Sequence, residues 1–343
     1  MKKIGFVFSG YGSQWVGMGK ELYDHSRVTQ ELFEEASNCL DLNFVKLCFA
    51  SSDADLSKLE HAYVSIFLVS IAFAKVLEEA GIVPTQVAGA DTGEYAAVCM
   101  AGGLNVPDAL YLLRKYAQFY QAYLDKTPAI GLKVTGLSTK KLEKLCQTIS
   151  KKGEVATVAV VEGPEEHIVL VTEESASLLH EELKSMDCVS SQPTSLGGGF
   201  HAPVMDDIVK NMRMYLEKVD FKTGTIPFIS GVIGEPLLEA DMVRASLMQS
   251  IHAQTQWHKV KDTFTECDYI LEIGPGSSLK ESFELQYPDK KVYAIRSFQA
   301  LQDFKKEFLD MQSTPTESLE EVSVASQEPI MVNQSVSQES NEL

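Results

Sequence analysis

The sequence is poor in three things that would place it in a specialised class. Its six cysteines include no Cys-x-x-Cys pair, and a chain of 343 residues needs no disulfide framework to hold a core, so they read as reduced thiols. Its longest apolar run, Val64 to Ala74, stops at Lys75 and is too short to span a bilayer. The apolar stretch Ile4 to Phe8 behind Met1-Lys2-Lys3 is likewise too short for a signal-peptide core. Positive charge is also scarce. Thirty Lys and Arg stand against 48 Asp and Glu, a net charge of −18, which argues against a nucleic-acid groove or an anionic membrane as partner. From Met311 onward there are six Glu and no Lys or Arg, in a Ser-, Gln- and Thr-rich texture without period, so 311–343 reads as a disordered acidic tail. A cytoplasmic, soluble protein is the expectation.

What is present is a chain of α/β texture. Ile4-Gly5-Phe6-Val7-Phe8 reads as a buried strand, followed by the loop Gly10-Tyr11-Gly12-Ser13-Gln14-Trp15. Its glycine spacing is not Gly-x-Gly-x-x-Gly, and no acidic residue on a second strand follows, so the dinucleotide-site signal is weak. Helical periodicity covers 28–50 and 63–80, the latter apolar nearly all round and hence central. A strand at 86–89 leads into Gly89-Ala90-Asp91-Thr92-Gly93-Glu94, with helices over 93–101 and 107–124 behind it. Strand, sharp glycine-flanked turn, then helix is the layout of a nucleophile elbow, with Asp91 at the position that Ser or Cys usually holds. Asp91-x-x-Glu94 also matches a capping box. A helix N-terminus lowers a carboxyl pKa, so an ionised Asp91 is expected, and a histidine beside it is expected to be held protonated.

Between 128 and 196 the pattern is strand, helix, strand, strand, helix, strand, which is a ferredoxin-like βαββαβ unit. After it come Gly199-Phe200-His201-Ala202-Pro203 with a helix to Leu216, and strands at 227–230, 269–273 and 292–295. The expected fold class is α/β, a hydrolase-like three-layer core with a parallel sheet (1–127 and 197–310) and the ferredoxin-like subdomain inserted at 128–196.

Five stretches together resemble the malonyl-CoA:acyl-carrier-protein transacylase family, which includes the acyltransferase domains of fatty-acid and polyketide synthases. They are Phe8 to Trp15, Gly89 to Tyr95, Gly199 to Met205, Gln256-Trp257 and Glu272-Ile273-Gly274-Pro275-Gly276, in family order over about 1–300. The resemblance implies ping-pong acyl transfer from CoA to a carrier-protein phosphopantetheine thiol, with acyl-CoA as co-substrate, no bound cofactor and no metal. It implies His201 as general base, oriented by a backbone carbonyl near Ser250, and the backbone N–H groups of Tyr11 and Thr92 as oxyanion donors. Phe200 keeps the malonyl-type residue beside the histidine. An acyl carrier protein is the implied partner, and a monomer is expected.

Other positions depart from the pattern. Asp91 replaces the serine nucleophile and Ala90 the histidine before it. The carboxylate-binding arginine position falls on Tyr116, with Arg114 two residues earlier, about 200° round a helix. Tyr63 stands for a glutamine, and Val160 and Glu162 for asparagines. Serine to Asp91 and arginine to Tyr116 shift the pocket by two negative charges. A malonyl carboxylate about 6 Å from an ionised Asp91 would be repelled by roughly 3 kcal/mol at an effective dielectric of 20, so malonyl-CoA is expected to be a poor substrate. Two function classes stay open: an acyltransferase or thioesterase using Asp91, and a non-catalytic relative that binds carrier protein or CoA.

Overall fold

The strand reading at the N-terminus sets the architecture. Ile4–Phe8 (β1) is apolar at every position and buried at every position, the behaviour of a strand covered on both faces of a parallel sheet. In the computed structural model, which describes residues 2–151, 155–186, 190–197, 201 and 205–313 (195–197 and 311–313 by backbone only), nine further strands follow. They are β2 (Gln86–Gly89), β3 (Ala129–Thr135), β4 (Ala156–Gly163), β5 (Glu166–Thr172), β6 (Ser190–Gly197), β7 (Phe228–Ile229), β8 (Pro236–Leu237), β9 (Tyr269–Ile273) and β10 (Lys291–Ile295).

Six of them form one sheet in the order β10-β9-β1-β2-β7-β8, parallel except for the antiparallel β7–β8 edge. The register matters for the site. Phe8 lies opposite Gly89 on one side and Ile273 on the other, so the loops leaving β1, β2 and β9 emerge together at the carboxyl end of the sheet. That end is where open parallel sheets bind ligands, because the connecting loops diverge there. The Leu59–Glu79 helix, apolar all round, is buried along nearly its whole length as the central helix of the core.

The other four strands form a separate antiparallel sheet, β4-β5-β3-β6, with the Thr139–Ser150 and Glu173–Lys184 helices connecting β3 to β4 and β5 to β6. This is the ferredoxin-like unit, with its own apolar cluster around Val134, Leu142, Val169 and Leu179. It is joined to the larger sheet's loops by backbone: Val161 N–H donates to the Thr255 carbonyl at 2.8 Å, and Thr255 N–H to the Ala159 carbonyl at 2.9 Å.

Two element readings change. The periodic stretch 28–50 is two helices, Arg27–Leu40 and Phe44–Ala50, because Asp41 turns the chain with φ 51 and its N–H caps the Ser37 carbonyl. The last helix, Phe298–Ser313, runs two residues past the expected start of the tail, and the rest of 311–343 lies outside the described residues.

Candidate functional site

Because β1 and β2 are adjacent, the Ser9–Tyr11 loop and the Asp91 turn are pressed together, and only glycine permits the contact. A Cβ on Gly10 would sit 2.3 Å from the Ala90 carbonyl oxygen, and one on Gly93 would sit 2.3 Å from that of Phe8. Asp91 itself has φ 50, the left-handed conformation that non-glycine residues seldom adopt. An elbow is formed.

Its side chain points back into the turn. Tyr11 N–H donates to Asp91 Oδ2 at 3.2 Å, and the Thr92 N–H also stabilises the carboxylate. The two amides that the family resemblance implies as oxyanion donors therefore face the chain's own carboxylate. The pKa outcome differs from the sequence expectation. Burial pushes Asp91 up to about 7, against the pull of the Thr92 and Tyr11 hydrogen bonds, although the carboxylate keeps some accessible surface in the cleft. Loss of water around the carboxylate outweighs the helix N-terminus.

His201, also at positive φ (60), is buried, and its Nδ1–H donates to the Ser250 carbonyl in a short hydrogen bond. The acceptor is a carbonyl, so Nδ1 carries the proton and Nε2 is the acceptor of the neutral ring. Burial lowers its pKa to about 4 despite the Ser250 contact. The expectation of a protonated His201 is thus overturned by desolvation. Ser250 ends the Ala240–Ser250 helix, and five residues on the chain pairs with β4, so the segment that orients the histidine is also tied to the inserted sheet.

The capping box does not form. Thr92 occupies the N-cap position of the Gly93–Met100 helix without a side-chain cap, and Glu94 Oε1 accepts from Gly231 N–H at 3.0 Å instead. Glu94 is buried, and burial raises its carboxyl to about 7.

Arg114 donates to the Leu40 carbonyl at 2.5 Å, away from the elbow, as its helical offset predicts. Tyr116 (5 % exposed) and Tyr63 (0 %) are packed in the interior. They continue a series of rings that starts at the elbow: Tyr11 to Tyr63 at 5.7 Å, Tyr63 to Tyr116 at 5.7 Å, Tyr116 to Tyr120 at 6.2 Å. Phe200 lies outside the described residues.

A cleft of about 690 Å³ runs from this floor, lined by Tyr11, Asp91 and His201, between the two sheets. Val160 and Glu162 from β4 line it, as do Trp257 and the Pro275–Ser278 loop after β9. Its cations are engaged: Lys133 lies 3.1 Å from Glu162 and 3.9 Å from Glu166, and Arg296 donates to Ser277 Oγ at 3.4 Å. One polar link escaped the sequence reading. Ser9 Oγ donates to buried Glu272 at 2.8 Å, and Glu272 also accepts from Lys280 N–H at 2.7 Å, tying the ends of β1 and β9 together. A glutamate inside the apolar run Tyr269-Ile270-Leu271-Glu272-Ile273 was the available signal, since such a carboxylate needs buried partners.

A strained elbow on a parallel sheet, paired amide donors, a carbonyl-anchored histidine and an inserted ferredoxin-like unit define an acyl-transfer type of α/β protein. The acyl transferase domain family matches residues 5–325, and the chain belongs to that family. It is 27 % identical over 281 residues to the malonyl CoA-acyl carrier protein transacylase of Bacillus subtilis (strain 168), covering 81 % of this chain and 89 % of that one. Among solved structures, the transacylase of that name from Clostridium perfringens superposes with a TM-score of 0.84 at 22 % identity, over 90 % of this chain and 98 % of that one. A malonyl-transacylase in complex with its holo type II PKS acyl-carrier protein superposes at 0.83 with 21 % identity, over 89 % and 99 %.

Proposed function

We propose that this chain receives the phosphopantetheine arm of CoA and of an acyl carrier protein in the cleft above Asp91, and that it does so without forming the family's serine-type acyl-enzyme. The observation that carries the reading is the Tyr11 N–H to Asp91 Oδ2 hydrogen bond. An oxyanion hole stabilises a developing alkoxide only if its donors are available to it, and here a resident carboxylate holds them. The named relatives transfer malonyl groups between CoA and carrier protein. The thioester arm is the feature both of those substrates share, and the shared family and fold support its retention. Malonyl itself is disfavoured, because Arg114 is spent on Leu40 and Asp91, once ionised as pH rises through about 7, repels the free carboxylate.

A second reading has its own support. His201 is neutral and held through Nδ1, the tautomer that lets Nε2 accept a proton. In that reading the Asp91 carboxylate attacks the thioester carbon as the C–S bond breaks and the thiolate leaves. His201 Nε2 takes a proton from water, which attacks the anhydride, frees the acid and restores Asp91, and the proton passes on to the thiolate, giving a thioesterase.

Intact-mass analysis and thiol-release assays with malonyl-, acetyl- and hexanoyl-CoA separate the two. Native protein is expected to show neither adduct nor CoA release above background, while Asp91→Ser, which vacates the amide donors, is expected to gain a covalent acetyl group. Acylation, carrier-protein loading or steady CoA release by the native chain would establish the catalytic reading in place of the first.

A further inference from the structure

The cleft ends abruptly at the elbow, and what lies behind it is aromatic. Tyr63 projects from the Leu59–Glu79 helix, and Tyr116 and Tyr120 project from one face of the Val106–Leu124 helix, four residues apart. The three are between 0 and 5 % exposed, with Tyr116 in ring contact with both Tyr63 and Tyr120, yet none of them lines the cleft, whose floor includes Tyr11 and Asp91. The space past the elbow is therefore occupied at interior packing density.

A thioester carbonyl has two substituents on its carbon, about 120° apart. If the sulfur side runs out through the cleft as pantetheine, the acyl side must run toward the ring stack. The cleft is lined by apolar and polar groups together and suits an amide-bearing arm, whereas the stack offers no channel for methylenes. Forcing them in would displace rings already held between two core helices.

We infer that the ligand this cleft selects is the unacylated, thiol-ended pantetheine arm, and that Tyr63, Tyr116 and Tyr120 are the residues that exclude acyl chains. The thiol end meets Asp91 and His201, two groups able to accept its S–H. This inference rests on the reading of the cleft as a pantetheine site and adds which form of the arm it takes.

The test is a binding series by titration calorimetry with CoA, acetyl-, butyryl- and hexanoyl-CoA on the native full chain, on Tyr116→Ala and on Tyr63→Ala. For the native chain, CoA is expected to bind about tenfold or more tighter than hexanoyl-CoA, with affinity falling along the series. In Tyr116→Ala the ratio of the two affinities is expected to move toward one, because the truncated ring opens room behind the elbow. Equal binding of CoA and hexanoyl-CoA by the native chain overturns the inference and leaves the pantetheine reading standing. A native preference that survives in a folded Tyr116→Ala and a folded Tyr63→Ala overturns the assignment to the ring stack. The native series decides the selectivity claim even if neither variant folds. Absence of binding by CoA and by all its thioesters overturns the pantetheine reading itself.

Discussion

The two walls of the cleft differ in what makes them. On the His201 wall the geometry is built from backbone: a carbonyl of Ser250 fixes the ring, and the following loop is held to β4 by main-chain hydrogen bonds. On the Asp91 wall it turns on a side chain: the Asp91 carboxylate faces the cleft, and Tyr116 is packed in the interior behind it. Backbone groups survive nearly any substitution at their own residue, so the Ser250 carbonyl and the Tyr11 N–H do not depend on the side chains those positions carry. Side-chain chemistry has no such protection. The elbow keeps its shape while its Asp91 carboxylate accepts hydrogen bonds from the Tyr11 and Thr92 amides.

The largest test of this contrast is directed at the backbone of the elbow. Gly93→Ala places a Cβ 2.3 Å from the Phe8 carbonyl oxygen and 2.9 Å from that of Ser9, and no rotamer change relieves a clash with main chain. A loss of about 5 kcal/mol in urea denaturation is expected, at the severe end of single substitutions. Gly163→Ala, at the end of β4 in the inserted sheet, meets nothing closer than 3.7 Å and is expected to change stability by about 0.5 kcal/mol or less. A Gly93→Ala protein within 1 kcal/mol of native would mean that β1 and the elbow do not approach as closely as described.

Asp91→Asn comes next, and it reads the charge rather than the shape. In the fold the Asp91 carboxyl titrates near 7, against a reference of 3.8. A raised pKa means that its favourable contribution is complete below about pH 3.8 and is lost as pH rises through 7. The interval corresponds to a ceiling of about 4 kcal/mol, reduced by the water that the cleft admits. Glu94 has the same sign and is itself raised in part by the Asp91 charge, so neutralising Asp91 relieves both. Asp91→Asn should therefore be more stable than native at pH 8 and about equal at pH 4, by thermal melts across that range. Equal melting at pH 8 would show that the carboxylate is well solvated where it stands.

Much of this site is legible in the sequence. The glycines of the elbow are local, and their spacing dictates a turn wherever the chain folds. The continuous apolar run at β1 and the βαββαβ texture of 128–196 are local as well, and both appear in the structure. Contacts between distant residues were not legible. Glu94 looked like half of a capping box because its nearest sequence partner is Asp91, but its hydrogen bond goes to Gly231, 137 residues on. The protonation states failed for a related reason. Sequence shows which charges are present, and a helix N-terminus beside Asp91 argues for ionisation. It does not show how much water remains, and desolvation decided the direction for Asp91, Glu94 and His201 alike.

His201→Asn gives the smallest expected effect and closes the comparison, because its pH dependence has the opposite sign. His201 titrates near 4 in the fold against 6.5 for a free imidazole, with burial as the main cause. A depressed pKa means that its contribution is complete above about pH 6.5 and is lost as pH falls through 4, a span worth at most about 3 kcal/mol. Asparagine is the informative replacement. It tolerates the left-handed backbone at position 201, and its amide N–H₂ can take the place of Nδ1 toward the Ser250 carbonyl. The smaller side chain lowers stability at every pH, so the readout is the slope between pH 7 and 4, not the value at one pH. In native protein the His201 loss on acidification offsets part of the gains from Asp91 and Glu94, and the slope is shallower than those two alone would give. In His201→Asn the opposing term is gone, and stability relative to pH 7 should rise more steeply as pH falls toward 4. An unchanged slope would mean that His201 is not held neutral by burial, and the contrast between a backbone-anchored base and a desolvated acid would fail on its better-preserved wall.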